Sequence, residues 1–495
     1  MTALTKESYA ELMTRKGFNS EFRRANLFVS HAWSYKFGDL VDAIKHYTLK
    51  NPAPEGGWFL WIDNITVSQH LEVKDSEFWS QGFKRVLESI GTALIVLDNW
   101  ENPIWITRAW CLFEFWVILA SEVQYSIILP AATEALFVES LKTEGNSFLD
   151  IASTINLENA VAFLKSDEEI IKRTVRESIG FAYLNESIIG RLREWNLHMA
   201  RQAYESVPAP ERHQSPLQLE LAAMYDDLGH QHEALELCAE RLRARPDDER
   251  ALSLCGPVCL KLGDADEALR ILGRLLALQE AAAAGEGPGG AESASAALAA
   301  ADTRNDMALA LDYLGRQDEA LRLHEEALAA YAGALGPEHP RVADTRNNMG
   351  VIYKAQGRLG EALAAYEEAL AINLRAHGAG HVAVADGRNN MAVVHQLQGR
   401  FEEARAGFEA ALEVRARCLG PRHPTVAEAK NNVAVAMEKQ GRLDEALAAY
   451  GEALSILQAR CRAARPAPPW LIRDPSLQWA RGSDSDSGRR LPSSR

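Results

Sequence analysis

At 495 residues the chain is long enough for two or more domains, each with a core of its own. Hydrophobic content of 47% and charged content of 24% are those of globular protein, and a net charge of -15 disfavours phosphate backbones and anionic lipid as partners. The amino terminus carries no apolar h-region and no run approaches the ~18 apolar residues a spanning helix needs, so a cytoplasmic location without a membrane span is expected.

Eight of the eleven tryptophans fall between Trp33 and Trp116, whereas Ala, Leu, Arg and Glu dominate beyond residue 215. Two kinds of core are implied. The six cysteines (Cys111, Cys238, Cys255, Cys259, Cys418, Cys461) show no ligand-like pairing, so reduced thiols and no metal site are expected.

After a short lead (1–25), NLFVSHAW (26–33) reads as a buried strand and residues 35–50 as an amphipathic helix, broken by PAPEGG. WFLWID (58–63) is a second strand, residues 78–91 a helix closed by Gly91, and TALIVLD (92–98) a third strand. TRAWCLFEFWVILAS (107–121) follows, with Thr107 as its cap; a helix apolar on every side is a buried helix. Glu114 is its only carboxylate, and at 100° per residue Trp110, Cys111, Val117 and Ile118 lie within about 60° of it. An unpaired charge there would cost several kcal/mol, so Glu114 must meet a partner, sit protonated, or open into a binding cleft. YSIILP (125–130) is a fourth strand. Alternating strands and helices imply a parallel sheet covered on both faces, with ligands at the carboxyl ends of the strands, where Ser30, Asp63 and Asp98 fall.

The succession FVSHAW, WFLWID, LESIGTALIVLDNW and TRAWCLFEF resembles a Toll/interleukin-1 receptor (TIR) domain over 26–135. The matching positions are Ser30, Asp63, Ser89 and the WCxxE signature Trp110, Cys111 and Glu114. The resemblance implies a flavodoxin-like α/β fold, and for those family members that consume NAD a catalytic glutamate, here Glu114. Trp110, Ser30, His31 and Asp63 are then the candidate substrate-binding residues, with NAD+ as substrate and no cofactor. The resemblance also implies a capacity to self-associate into a homo-oligomer.

Residues 136–210 read as a helical connector, with Ser166 and Glu169 as a capping box. Self-similarity governs the rest. Gly229 and Gly263 are 34 apart, each preceded by a small residue (Ala222, Gly256) and followed by an alanine (Ala234, Ala268), which gives two 34-residue helical hairpins over 215–280. An Ala/Gly/Ser-rich stretch, 281–297, reads as a flexible linker. Beyond it Gly315, Gly357, Gly399 and Gly441 repeat every 42 residues through 298–462. The hairpins resemble tetratricopeptide repeats (TPRs), and the loops LGPEHPRVA, HGAGHVAVA and LGPRHPTVA with RNNMG, RNNMA and KNNVA resemble those of kinesin light chains. An all-α TPR superhelix is therefore expected behind the sheet domain. Its recurring His339, His381 and His423 read as loop-structural.

Asn305, Asn347, Asn389 and Asn431, with Asn348, Asn390 and Asn432, recur on the first helices, which line the concave face of such repeats. An amide has donor and acceptor together and suits an extended peptide, although some of each pair could instead bond neighbouring repeats. The tail, 463–495, is Pro, Ser and Arg rich and reads as disordered, except for an apolar patch from Trp470 to Trp479 that could cap the solenoid.

No GxxxxGK[ST], GxSxG or HExxH occurs, so NTP, serine and zinc hydrolysis are unsupported. Three functions fit: a signalling scaffold that binds a protein or peptide in the repeats and hydrolyses NAD+, a non-catalytic adaptor with a self-associating front domain, and a light-chain-like cargo adaptor. Against the third, no heptad coiled coil is seen.

Overall fold

Among the described residues, four short strands, β1 (Leu27–Ser30), β2 (Leu60–Ile62), β3 (Thr92–Val96) and β4 (Gln124–Ile128), pair in parallel in the order β2-β1-β3-β4. The structure, a computed structural model, describes residues 25–32, 34–62, 83–100, 103–121, 123–143, 155–162, 165–178, 180–285, 291–419 and 423–463. Both faces of the central strands are covered, as their unbroken apolar runs require. On one face Val29, Ile62 and Val96 pack with Leu40 and Ile44 of α1 (Phe37–Lys50). On the other, Phe28, Ala93 and Ile95 meet α2 (Phe83–Ile90) and α3 (Ala109–Ala120).

Helix α3 is buried nearly all round, through Leu112, Phe113, Phe115, Val117 and Ile118. Thr107 does not cap it. That residue ends a 3-10 turn, Ile104–Thr107, and its hydroxyl donates to the Ile104 carbonyl at 2.7 Å. The open helix end is served by backbone instead, since the Ala109 N–H donates to the Val161 carbonyl at 3.0 Å and Val161 N–H to Thr107 at 3.0 Å.

The segment read as a connector is built into the sheet's own core. The boundary at 135/136 falls inside α4 (Ala131–Thr143), whose Phe137 is buried with Phe28 and Phe115. After α5 (Lys165–Ser178), the long α6 (Phe181–Ser206) stacks Trp195 on Phe137 at 5.4 Å and sends the indole N–H to the carbonyl of Ile127 at 3.0 Å. Helical periodicity signals an apolar face without naming what covers it. The capping box is also displaced: Glu168 accepts the backbone N–H of Ala162 at 3.3 Å and pairs with Lys172, while Ser166 lies inside the first turn.

Behind a 3-10 turn (Ala209–Gln214) come, among the described residues, six hairpins. They are α7 (Leu217–Asp227) with α8 (Gln231–Ala244), α9 (Glu249–Lys261) with α10 (Ala265–Gly285), α11 (Ala291–Tyr313) with α12 (Gln317–Leu335), and α13 (Pro340–Ala355) with α14 (Leu359–His377). Next are α15 (Val382–Leu397) with α16 (Phe401–Leu419), and α17 (Pro424–Lys439) with α18 (Leu443–Ala463). Second helices lengthen from 14 residues in α8 to 19 in α12, α14 and α16, which accounts for most of the longer period.

The spacing glycines all take positive φ at the turns; at Gly357 (φ 74°) the Arg358 N–H reaches back to the Tyr353 carbonyl at 2.9 Å and closes the helix. The stretch 281–297, expected to be a flexible linker, is helical on both sides of residues 286–290, which lie outside the described residues. Its alanines are the strongest helix formers and outweigh the low-complexity appearance. The tail beyond 463 also lies outside the described residues, as do most of the lead and Asp63. Among the described residues, no helix is long and apolar enough to cross a membrane.

Candidate functional sites in the sheet and the repeats

The carboxyl ends of β1 and β3 gather the polar groups of the front domain. Ser30, the last residue of β1, is buried and donates to Glu114 Oε2 at 2.6 Å, a short hydrogen bond. Its oxygen accepts the Trp105 indole N–H at 3.2 Å. Trp105 is fully buried and set edge-on to Phe115 at 5.5 Å, so the relay Trp105–Ser30–Glu114 is anchored in the core. Of the outcomes open for Glu114, the structure gives it a hydrogen-bonded partner, while leaving it half-buried rather than sealed.

His31 continues β1 and is buried; its carbonyl receives the Cys111 thiol at 3.5 Å, which ties α3 to the strand end one turn before Glu114. Trp110 donates its indole N–H to Asp167 at 3.2 Å and packs edge-on against Phe113, so its ring is engaged with α5 and the helix's own flank. Asp63 lies outside the described residues. Tyr35 stands near Asp98 and Cys111, and burial, reinforced by the Asp98 carboxylate, pushes its hydroxyl pKa above the phenol range. Trp105 was not foreseen; the sequence signal for it was a tryptophan in a turn flanked by proline and threonine, which is weak.

In the repeats, the asparagine column is partly a ladder. Asn390 Nδ2 donates to Asn347 Oδ1 at 2.8 Å, and Asn432 Nδ2 to Asn389 Oδ1 at 2.9 Å. Each bond joins the first helices of successive hairpins across 43 residues. The ladder stops at the third hairpin: Asn305 Oδ1 is buried with no partner, and where later repeats have Asn348, Asn390 and Asn432 this one has Asp306. Burial, with Asp302 nearby, pushes the Asp306 carboxyl up to about 6. Asn348 is half-buried and Asn431, at the far end, is exposed.

The loop histidines act as helix caps. His339, His381 and His423 each accept through Nδ1 the N–H two residues on, at 3.2 Å. Because Nδ1 of His423 is an acceptor, its proton sits on Nε2, which meets Glu186 of α6 at 3.1 Å. In the second hairpin Cys255 touches the thiols of Cys238 and Cys259; the Cys238 contact and burial push it up to about 12, against the opposing pull of Cys259. A cavity of about 430 Å³ opens beside Cys255 and Cys259, walled by Leu235, Leu252 and Ile271.

Residues 299–375 and 383–459 match the sequence profile of the tetratricopeptide repeat, and residues 250–274 match a second profile of the same repeat. These segments are tetratricopeptide repeats. No curated protein matches the chain. Among solved structures, BtubC (BKLC) from P. vanneervenii is 20% identical with a TM-score of 0.38, over 54% of this chain and 95% of that one. A putative kinesin light chain from Podosopora anserina with nearly identical TPR-like repeats is 22% identical with a TM-score of 0.36, over 44% and 98%. The apo form of RapI is 13% identical with a TM-score of 0.39, over 55% and 95%.

Proposed function

We propose that the protein is a scaffold whose repeats hold an extended segment of a partner protein along the first helices of the 42-residue hairpins. The observation that carries this reading is the amide ladder. Each rung consumes one carbonyl and one N–H, so the remaining N–H groups of Asn347 and Asn389 and the carbonyls of Asn390 and Asn432 are held in fixed orientation. A peptide main chain needs donors and acceptors of that kind, and holding them beforehand lowers the entropy lost on binding. Repeats of this kind form an extended surface rather than a reaction centre.

The test uses peptides selected on the whole chain from a displayed library, with affinity read by fluorescence anisotropy. Asn347→Ala with Asn389→Ala is expected to weaken binding about tenfold, the scale of one or two lost hydrogen bonds. Unchanged affinity would discard the groove.

A second reading concerns the front domain, which we read as TIR-like and flavodoxin-like. Its strand order supports that, being the first four members of the 2-1-3-4-5 series. The Ser30–Glu114 pair at the strand ends supports an NAD+ glycohydrolase role. There the carboxylate would stabilise an oxocarbenium-like ribose as the nicotinamide bond breaks, with Ser30 fixing its orientation. In this reading the domain works in the cytoplasm, needs no cofactor, and self-associates when the repeats gather copies. The alternative is an adaptor whose front domain only self-associates.

Nicotinamide release from NAD+, measured for the whole chain under forced clustering, separates the two. Release by wild type that falls at least about a hundredfold in Glu114→Gln supports the enzyme, the range of a lost electrostatic contribution. Silence of both proteins under clustering supports the adaptor.

A further inference from the structure

The amide ladder breaks at the third hairpin, and the break leaves acceptors without donors. The completed rungs pair Asn347 with Asn390 and Asn389 with Asn432. Forty-two residues earlier the same rung would pair Asn305 with Asn348, yet Asn305 Oδ1 is buried without a partner. One rung further back, Asp306 stands in the place of Asn348, Asn390 and Asn432. Its counterpart across the rung is Ser253, ten residues before its turn glycine as Asn305 and Asn347 are before theirs. The Ser253 hydroxyl already donates to the Arg250 carbonyl at 3.0 Å. A carboxylate cannot donate as the asparagines of the later repeats do, so the substitution opens the ladder from both sides of α11.

Among the described residues no cation answers these acceptors. The Asp306 carboxyl is half-buried and feels only its own desolvation and the like charge of Asp302. The nearby arginines are committed elsewhere: Arg304 to Glu280 and Glu326, Arg341 to Asp302 at 3.0 Å, and Arg346 to Glu368. A desolvated acid beside an unpaired carbonyl is unfavourable until a donor arrives, and a charged donor relieves both at once. Beside them Leu309 is 42% exposed, where later repeats place the half-buried Val351 and Val393. At 100° per residue it lies about 40° round the helix from Asn305 and about 60° from Asp306. An aliphatic stem that ends in a positive charge matches all three groups.

We propose that this open rung is the docking site for a lysine or arginine side chain of the bound segment. Its ammonium or guanidinium meets Asp306 and the Asn305 carbonyl, and its stem lies on Leu309. This rests on the groove reading given above and adds the chemistry of the occupant: a basic residue at the third hairpin fixes the register of a segment that the later amides hold by its main chain. The net charge of -15 favours the approach of such a segment.

The test selects peptides on the whole chain from a fully randomised displayed library and reads their affinity by fluorescence anisotropy. Binders are expected to carry lysine or arginine at one fixed position. Replacing that residue by norleucine, which keeps an aliphatic stem and removes the charge, should weaken binding to the wild type about ten- to a hundredfold, the scale of a hydrogen bond to a charged group. The same replacement should cost less than about threefold with Asp306→Asn, a variant that carries the residue of the sister repeats and so keeps the fold. Equal losses with wild type and variant, or binders without a fixed basic residue, would overturn the docking site. The groove itself stands in that case if Asn347→Ala with Asn389→Ala still weakens binding. Affinity indifferent to those two alanines would overturn both.

Discussion

His324 occupies a place that its sister repeats give to aromatic rings, Tyr366 and Phe408, 42 and 84 residues on. It is fully buried, and neither ring nitrogen has a partner. Burial lowers its pKa from 6.5 to about 4, so the folded chain refuses a proton that the unfolded chain accepts. The stability it permits is complete above pH 6.5 and is lost as the pH falls from 6.5 toward 4, by up to about 3 kcal/mol. His324→Phe should remove that part of the acid sensitivity. It should also gain roughly 1 kcal/mol at pH 7 by deleting two unsatisfied nitrogens. Urea unfolding of both proteins at pH 7 and pH 4.5 checks this; parallel losses on acidification would contradict it. The residue escaped sequence reading because a histidine in a helix suggests chemistry or solvent. Only alignment of the repeats on their glycines exposes it as a substitute for a ring.

Between helices, the close approach that repeats require is visible at Gly350. A Cβ built there would lie 2.6 Å from the Tyr366 ring, whose walls cannot retreat because Tyr366 is itself fully buried. Gly350→Ala gains about 1 kcal/mol of helix propensity but forces overpacking of about 1–3 kcal/mol, so a net loss is expected. Gly333→Ala is the contrast: nothing lies within 4 Å, and a gain of roughly 0.5–1 kcal/mol is expected. Thermal denaturation of the two variants should shift in opposite directions. The repeats were legible for this reason, since turn glycines and small contact residues recur at fixed intervals that no other fold needs. The central strands were legible too, because burial on both faces leaves continuous apolar runs. Local capping was less so: Thr107 and Ser166 are plausible caps by type, yet a neighbouring backbone segment and Glu168 do the work instead. The asparagines were recognised as a column, but their division into rungs depends on the angle between successive hairpins, which spacing alone does not encode.

Across the whole molecule, the sheet and the solenoid share one hydrophobic core. Leu217, Leu221 and Met224 of α7 are buried in the cluster that also holds Phe28, Phe115 and Leu192. A fragment beginning at residue 215 would bare all three, at a cost of roughly 6 kcal/mol. It should bind a hydrophobic dye and aggregate, whereas the whole chain stays monodisperse by light scattering. A stable, dye-silent fragment would show that the first repeat closes without the sheet.

The same union is reinforced further along, where α6 meets α16 and Glu186 meets His423 at 3.1 Å. These contacts fix the fifth and sixth hairpins to the sheet without an intervening tether among the described residues, so a partner held there, on the reading proposed above, would keep a set bearing and range from the strand ends.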